Sequence, residues 1–119
     1  MADKWTALNT FWNSFGLVAY DENTVPDNAE LPYITYSATV SDFDETVYLT
    51  ASIWYESSSW TEVSQKADAI GDHIGGGVGA PYDTGRLWIT KAVPFAQRMA
   101  DETNTQIRRI VLQVTGEYQ

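Results

Sequence analysis

The sequence predicts an α+β fold, in which two helices pack on one face of a mostly antiparallel sheet of about four to five strands. Two stretches repeat apolar residues at helical spacing, and several others alternate apolar with polar residues. Their order along the chain is helix, strand, two-stranded hairpin, helix and two further strands. The 119 residues contain no linker-like tract, so a single domain over 1–119 is expected.

An amphipathic helix is predicted at residues 3–15. Its apolar stripe consists of Trp5, Leu8, Phe11, Trp12 and Phe15. Asp3 suits the first turn, where the helix dipole favours negative charge. Gly16 is placed to end the helix in a left-handed cap. Residues 17–20 then predict a short strand, followed by a proline-containing loop.

A hairpin is predicted next, from residues 32–40 and 46–56. Both stretches alternate apolar and polar residues, which is typical of strands with one buried face. The buried face would carry Ile34, Tyr36, Ala38 and Val40 in the first strand, and Val47, Leu49, Ala51, Ile53 and Tyr55 in the second. The acidic stretch 41–45 is the predicted turn between them.

The second helix is predicted from a start signal, a stripe and a stop signal. Ser59 and Glu62 have the spacing of a capping box, in which each side chain satisfies the other residue's backbone N–H. The stripe consists of Trp60, Val63, Ala67, Ile70 and Ile74. The run 75–77 is all glycine and is expected to end the helix.

Two strands, residues 86–93 and 106–118, are predicted to close the fold, with residues 78–85 as a loop before them. Pro94 is expected to end or edge the first of these strands. The stretch after it, PFAQRMADETN, is then a connector on a hairpin that is too long for a tight turn. In that interpretation Phe95 and Met99 anchor the connector, and Arg98 points outward.

Charge separates along the chain, whose net charge is −9. Lys4 is the only base up to Trp60, whereas acids recur throughout that part, and four of the seven bases lie from Lys91 onward. A strongly acidic chain disfavours direct binding of nucleic acid, because that affinity comes from Lys and Arg. The separation suits copies that associate head to tail. An acidic, solvated surface with chance clustering is the alternative.

No residue pattern names a reaction, and we expect neither enzymatic activity nor a cofactor or metal. The chain has no cysteine, which removes disulfides and thiolate chemistry. His73, the only histidine, lacks a catalytic partner in any motif, so a structural role is favoured. The GGGVG stretch lacks the Lys-Ser/Thr ending of a phosphate loop. No signal peptide or membrane-spanning run is recognisable, so synthesis in the cytosol is expected.

The sequence resembles the tail terminator, or tail completion, proteins of long-tailed bacteriophages, which are often labelled minor capsid proteins. The stretches that carry the resemblance are GLVAYDENTVPDNAELPYITY, ASIWYESSSWTEVSQKADAI, GRLWITKAVPFAQRM and IRRIVLQVTGEY. The resemblance implies a ring, typically of six copies, that caps the tail tube, stops its polymerisation and offers a surface for joining the head. Its implied partners are further copies, the tail tube protein and a head-completion or connector protein, in the neck of a virion assembled in the bacterial host. DNA would pass through the ring without specific binding.

Within this interpretation, Arg98, Arg108 and Arg109 are the candidate residues of a ring or tube interface, together with Phe95 and Met99. The three bases are unusual in an acidic chain. Arginine is favoured at interfaces because its planar guanidinium group can bind a carboxylate through two hydrogen bonds. The alternative is a solvated strand start whose Arg stems cover apolar surface.

Two other functions stay open at this point. The first is a head-completion or stopper protein of the same virion neck, which would also be small and ring-forming. The second belongs to a different class, a carbohydrate-binding module that uses Trp54, Trp60, Trp88 and strand tyrosines as a stacking platform. Core or interface roles are the more frequent use of such aromatic residues.

Overall fold

The computed structural model describes residues 3–42, 45–100 and 104–119. Its two helices and six strands are α1 (Lys4–Asn13), β1 (Ala19–Asp21), β2 (Tyr33–Tyr36), β3 (Thr46–Glu56), α2 (Thr61–Ile74), β4 (Val78–Tyr82), β5 (Gly85–Ala100) and β6 (Ile107–Tyr118).

The six strands form one sheet in the order β1-β2-β3-β6-β5-β4. β1 and β2 are parallel, and the other neighbouring pairs are antiparallel. The predicted α+β class is confirmed, but the sheet is mixed and has one strand more than the four to five expected. The additional strand is β4, which lies in the predicted loop. Gly79 and Pro81 obscure its alternation in the sequence, and its position at the sheet edge tolerates a proline.

One face of the sheet and both helices share a single apolar core. The predicted alternation of β3 and β6 is confirmed, since Leu49, Ala51, Ile53 and Tyr55 in β3 and Ile110, Leu112, Val114 and Tyr118 in β6 are all buried. The core is completed from the helices by Leu8, Trp12, Val63, Ala67, Ile70 and Ile74. The other face of the sheet, called the open face below, alternates with these residues.

The first helix begins one residue later and ends two residues earlier than predicted. Asp3 is its N-cap, and the Oδ1 atom accepts a hydrogen bond of 2.8 Å from the Thr6 N–H. The hydrogen bonds from Thr6 hold the pKa of Asp3 below its ordinary value. Trp5, assigned to the buried stripe by its spacing, lies in the first turn and is 55 % exposed. The buried stripe of the helix begins at Ala7.

The second helix confirms the predicted stripe and glycine stop but not the capping box. Its N-cap is Trp60, one residue later than the motif requires. The Ser59 hydroxyl therefore reaches only the N–H of Thr61, at 3.1 Å, and not that of Glu62. At the other end, Gly75 adopts φ 51°, a conformation that glycine accepts at little cost.

The hairpin of β2 and β3 is confirmed, but its connection is longer than expected. The register pairs Tyr33 with Trp54 and Tyr36 with Ala51. β2 ends at Tyr36, and Ser37 continues the contact, its N–H and hydroxyl both donating to the carbonyl of Thr50. Phe43 and Asp44, in the predicted acidic turn, lie outside the described residues.

The prediction that Pro94 ends its strand, leaving PFAQRM in a connector, is wrong, whereas the other option, a proline at a strand edge, agrees with the structure. β5 runs through the proline to Ala100, and Ala96 to Ala100 pair with Leu112 to Arg108 of β6. Pro94 cannot donate to the ladder, and the register shifts between Lys91 and Ala96, so β5 passes the proline as an irregularity. Asp101–Thr103, the last part of the predicted connector, lies outside the described residues.

Candidate interaction surface

Past Ile89, β5 pairs on one side only, with β6, and residues 92–95 within this stretch pair with no strand. β4 pairs with Gly85 to Ile89, while β6 continues beside β5 to Ala100. Residues 90–100 thus form a sheet edge, called the β5 outer edge below, that no strand in the described parts of the chain covers. Backbone N–H and C=O groups on such an edge are available to another chain. Val93, in the irregular part of this edge, is 97 % exposed.

Phe95 holds the β5 outer edge against α2. Its ring is partly buried and packs on the core. It lies so close to Gly71 that a β-carbon there would stand 3.0 Å from the Phe95 Cε2 atom. The ammonium of Lys91 lies over the same ring, 5.9 Å from its centroid. Phe95 is therefore an intramolecular anchor, on the side of the sheet that α2 covers.

Arg98 and Arg108 come together over the indole of Trp60. The two guanidinium carbons lie 5.2 and 5.3 Å from the ring centroid. Arg98 is exposed and donates from Nη2 to the Ser64 hydroxyl at 3.1 Å. Stacking on Trp60 restricts an Arg98 guanidinium that belongs to an exposed residue, so the side chain is suited to bind an acidic partner.

Arg108 is fixed more tightly than Arg98. Its Nη2 donates to the Ser58 carbonyl at 3.0 Å, and its Nη1 donates to the Thr105 carbonyl at 2.6 Å. Its Nε is buried and has no hydrogen-bond partner within the described residues. These contacts tie β6 to the segment that enters α2, so the primary role of Arg108 is to hold the chain together there.

Arg109 and Met99 lie on the opposite side of the sheet from Arg98 and Arg108. Successive strand residues alternate between faces, and Arg109 pairs with Met99 of β5 and with Trp54 of β3. The Arg109 guanidinium stacks on Trp54 at 4.6 Å, and its Nε donates to the hydroxyl of Ser52, which is buried. Met99 beside it is 39 % exposed. The structure thus divides the five predicted interface residues between two surfaces.

The arginine contacts follow one pattern that the sequence does not reveal. Arg86 stacks on Trp88 at 5.0 Å, so every arginine in the chain lies over a tryptophan. Three of these four contacts join residues far apart in sequence, and they depend on strand register. Trp60, which the sequence assigns to the helix stripe and to the alternative stacking platform but not to this interface, is the residue missed at this surface. Only the Arg86–Trp88 pair, two residues apart on a predicted strand, was visible as a sequence signal.

A groove separates α2 from the β5 outer edge. It comprises two adjoining hollows of about 240 and 330 Å³. This α2–β5 groove is lined by Ser64, Ala67, Asp68, Gly71, Asp72, Lys91, Phe95, Ala96, Gln97, Arg98 and Ile110. Small side chains form its floor, whereas Lys91 and Arg98 stand on the strand wall and the two acids on the helix wall.

A group of four acids lies at the first strand of the sheet order and in the loop after it. The segment 21–30, called the acidic segment below, carries four acids and no base: Asp21, Glu22, Asp27 and Glu30. All except Asp21 are exposed. β1 is the strand at one end of the sheet order, while β5 and β4 lie at the other end. The acidic segment and the bases of β5 therefore lie towards opposite ends of the strand order, whereas Arg108 and Arg109 lie on the central strand β6.

The open face does not assemble a shared tryptophan platform. Trp54 pairs with Arg109 of β6, and Trp88 pairs with Glu117 of the same strand. The offset from 109 to 117 places the two indoles roughly 25 Å apart along the strand direction. An arginine also lies over each ring. One sugar ring therefore cannot stack on both indoles, although Tyr20, Tyr33 and Trp54 do lie together.

His73 stands at a separate apolar hollow. Its ring meets Phe15 edge-on, with centroids 5.3 Å apart. The hollow, of about 340 Å³, lies between α1, the end of α2 and β4, and is lined by Ala7, Thr10, Phe11, Ser14, His73, Val78, Gly79, Ala80 and Pro81. No serine-and-acid pair accompanies His73 in that lining, which is mostly apolar.

Within residues 3–42, 45–100 and 104–119, neither helix has the length and apolar composition that a bilayer crossing needs. Within the same ranges, no group of three or more His, Cys, Asp or Glu side chains is arranged to hold a metal ion.

Comparison with known proteins finds a structural likeness. No family model and no curated protein matches the sequence. A chain of a solved structure described as "Virion of native gene transfer agent (GTA) particle" aligns with 97 % of this chain and 90 % of its own length. The TM-score is 0.63, and 19 % of the residues are identical. This protein shares its fold with a virion chain.

Proposed function

We propose that this protein is a structural component of a phage-like virion, and that within the virion it is the tail terminator. It binds the last ring of the tail tube, stops further polymerisation and presents the surface on which the head is joined. The observation that carries the proposal is the fold shared, over nearly the whole of both chains, with a chain of the gene transfer agent virion. The sequence resemblance to tail terminators narrows the proposed location of the protein to the neck of the virion.

Two features of the molecule support a structural role over a catalytic one. The described side chains concentrate their distinctive chemistry in Arg–Trp stacks and an uncovered sheet edge, which are typical of contact surfaces. In addition, the acidic segment and the bases of β5 lie towards opposite ends of the strand order. A closed ring of identical subunits requires one side of each subunit to complement its other side.

The acidic character also fits the passage of DNA. With a net charge of −9, a ring of these subunits offers phosphates few cations to bind. DNA would therefore slide through the ring without specific contacts. No cofactor or metal is needed for this activity, and the partners are further copies, the tail tube protein and the head connector.

The test is electron microscopy of the protein mixed with its polymerising tail tube protein. A terminator gives tubes of defined length with an added ring at one end. Tubes that continue to grow without a ring would contradict the role. A parallel mixture with tail-less heads distinguishes the neighbouring possibility, because a head-completion protein would decorate the heads and leave the tubes bare.

A further inference from the structure

We infer that adjacent copies of this chain associate by placing the acidic segment of one copy against the β5 outer edge and the α2–β5 groove of the next. This inference deepens the proposed terminator function, on which it rests, by assigning the two surfaces that meet around the ring. The partner that occupies the groove and the edge is a second copy of this chain, so two different surfaces of the same protein meet in a heterologous contact.

The first support is that the β5 outer edge is uncovered and shaped to receive a chain segment. β4 stops pairing at Ile89, so the edge beyond it offers backbone donors and acceptors. The α2–β5 groove runs beside this edge, with the small side chains of Ala67 and Ala96 leaving room between helix and strand. The exposed Val93 supplies apolar surface at the same edge.

The second support is charge. β5 carries Arg86, Lys91 and Arg98 and no acid, whereas the acidic segment carries four acids and no base. Arg98 is exposed and is already oriented by its contacts with Trp60 and Ser64. A carboxylate from the acidic segment can therefore bind the Arg98 guanidinium with little loss of side-chain freedom. Asp68 and Asp72 line the helix wall, which directs an incoming acid towards the strand wall.

The same charges disfavour the symmetric alternative. Two β5 edges paired with each other would bring bases opposite bases, and like charges placed directly opposite are destabilising. The acidic segment is likewise unsuited to contact itself. A head-to-tail contact satisfies both surfaces, and repetition of that contact closes a ring when the rotation between copies permits.

The absence of native cysteine allows a direct test by disulfide cross-linking. Ala96→Cys places a thiol in the groove, and Asn28→Cys places one in the acidic segment between Asp27 and Glu30. Thr50→Cys, on the open face of the central strand β3, is the matched control. All three positions are exposed. Circular dichroism and thermal melting establish that each variant is folded.

The variants are oxidised separately and in pairs, both alone at high concentration and on tail tubes. Dimers are expected from the mixture of Ala96→Cys with Asn28→Cys, and not from either variant alone or from mixtures with Thr50→Cys. Adding Arg98→Glu to the Ala96→Cys chain should lower the yield about tenfold, because like charges then meet. Replacing Asp27 and Glu30 by lysine in the Asn28→Cys partner should restore the yield of dimers with the chain that carries Arg98→Glu.

The outcomes separate this contact from the terminator role. Tubes that are capped by rings without the mixed cross-link would overturn the contact and leave the terminator role standing. Efficient dimers of either variant alone would also overturn it, since they indicate a symmetric contact. The mixed cross-link without capped tubes would support the contact and contradict the terminator role. Failure of both capping and cross-linking would contradict both.

Discussion

Gly77 lies directly beneath the indole of Trp88. A β-carbon at this position would stand 2.6 Å from the Cε2 atom of the indole, closer than real contacts allow. The backbone of Gly77 has φ 144°, a conformation that residues with side chains rarely adopt. The glycine run after α2 is thus more than a helix stop, because one of its members allows β4 to pack beside Trp88 of β5.

Replacement of Gly77 by alanine is therefore expected to destabilise the protein by roughly 2 kcal/mol or more, from backbone strain and overpacking together. Gly76→Ala is the matched control in the same run, because its β-carbon meets nothing within 4 Å. It should change stability by less than about 0.5 kcal/mol or raise it slightly. Urea unfolding measures both changes. Equal stabilities of the two variants would contradict this account of Gly77.

Tyr118 is expected to make stability depend on pH in the alkaline range. Its side chain is fully buried, and its hydroxyl donates to the Thr39 carbonyl at 2.7 Å. Burial, followed by the nearby Tyr82 charge, raises the pKa of Tyr118 to about 12. Between about pH 10 and that value, the folded state retains a proton that the unfolded state loses. The stabilisation from the neutral phenol is complete below pH 10 and is lost as the pH rises towards 12.

The variant Tyr118→Phe tests this dependence. It removes the hydrogen bond to Thr39, so it should be less stable at neutral pH by about 1 kcal/mol. It should also lose part of the decline in stability above pH 10, and its tyrosinate absorbance should lack the last group to titrate. An alkaline unfolding profile identical to that of the unmodified protein would show that Tyr118 does not titrate in this way.

At the start of α2, the structure differs from what the sequence pattern predicts. The capping box predicts that Ser59 and Glu62 contribute together, whereas in the structure Ser59 alone binds the backbone, through the Thr61 N–H. Ser59→Ala is therefore expected to cost roughly 0.5 kcal/mol or more, and Glu62→Gln much less. A double-mutant cycle should show no coupling between the two residues. A clear coupling energy in thermal or urea unfolding would restore the capping box.

Regular patterns in the sequence predicted the interior of the fold well. The alternation in β3 and β6 predicts which face is buried because one face of the sheet is covered and the other is not. The apolar stripe of α2 predicts the buried side of that helix for the same reason. β4 and the second half of β5 were missed because Pro81 and Pro94 interrupt the alternation, although an edge and an irregularity each accommodate a proline.

The sequence predicts which basic residues belong to the candidate surface, but it does not predict how they are arranged. Sequence singles out Arg98, Arg108 and Arg109 as bases in an acidic chain. Their division between two faces follows from the alternation of a strand through 108 and 109. Their tryptophan partners follow only from the positions of β3 and α2 relative to β5 and β6, and no local signal specifies those positions.

The three arginines are expected to differ in their importance for folding. Arg109→Glu leaves the buried hydroxyl of Ser52 without its Nε partner and removes the stack on Trp54, and Arg108→Glu removes the donors to the Ser58 and Thr105 carbonyls. Each should cost about 1–3 kcal/mol. Arg98→Glu loses one exposed hydrogen bond and a partly solvated stack, and should cost less than about 1 kcal/mol.

Urea unfolding of the three variants, with Lys91→Glu as a further exposed control, tests this order. Arg98→Glu is thus the variant in which a loss of assembly reports on a contact between copies, since its fold is retained. Loss of assembly by Arg108→Glu or Arg109→Glu would instead follow in part from weakened tertiary structure. If Arg98→Glu proved the least stable of the three, its guanidinium would be an internal support, and its assembly defect would carry no information about the neighbouring copy.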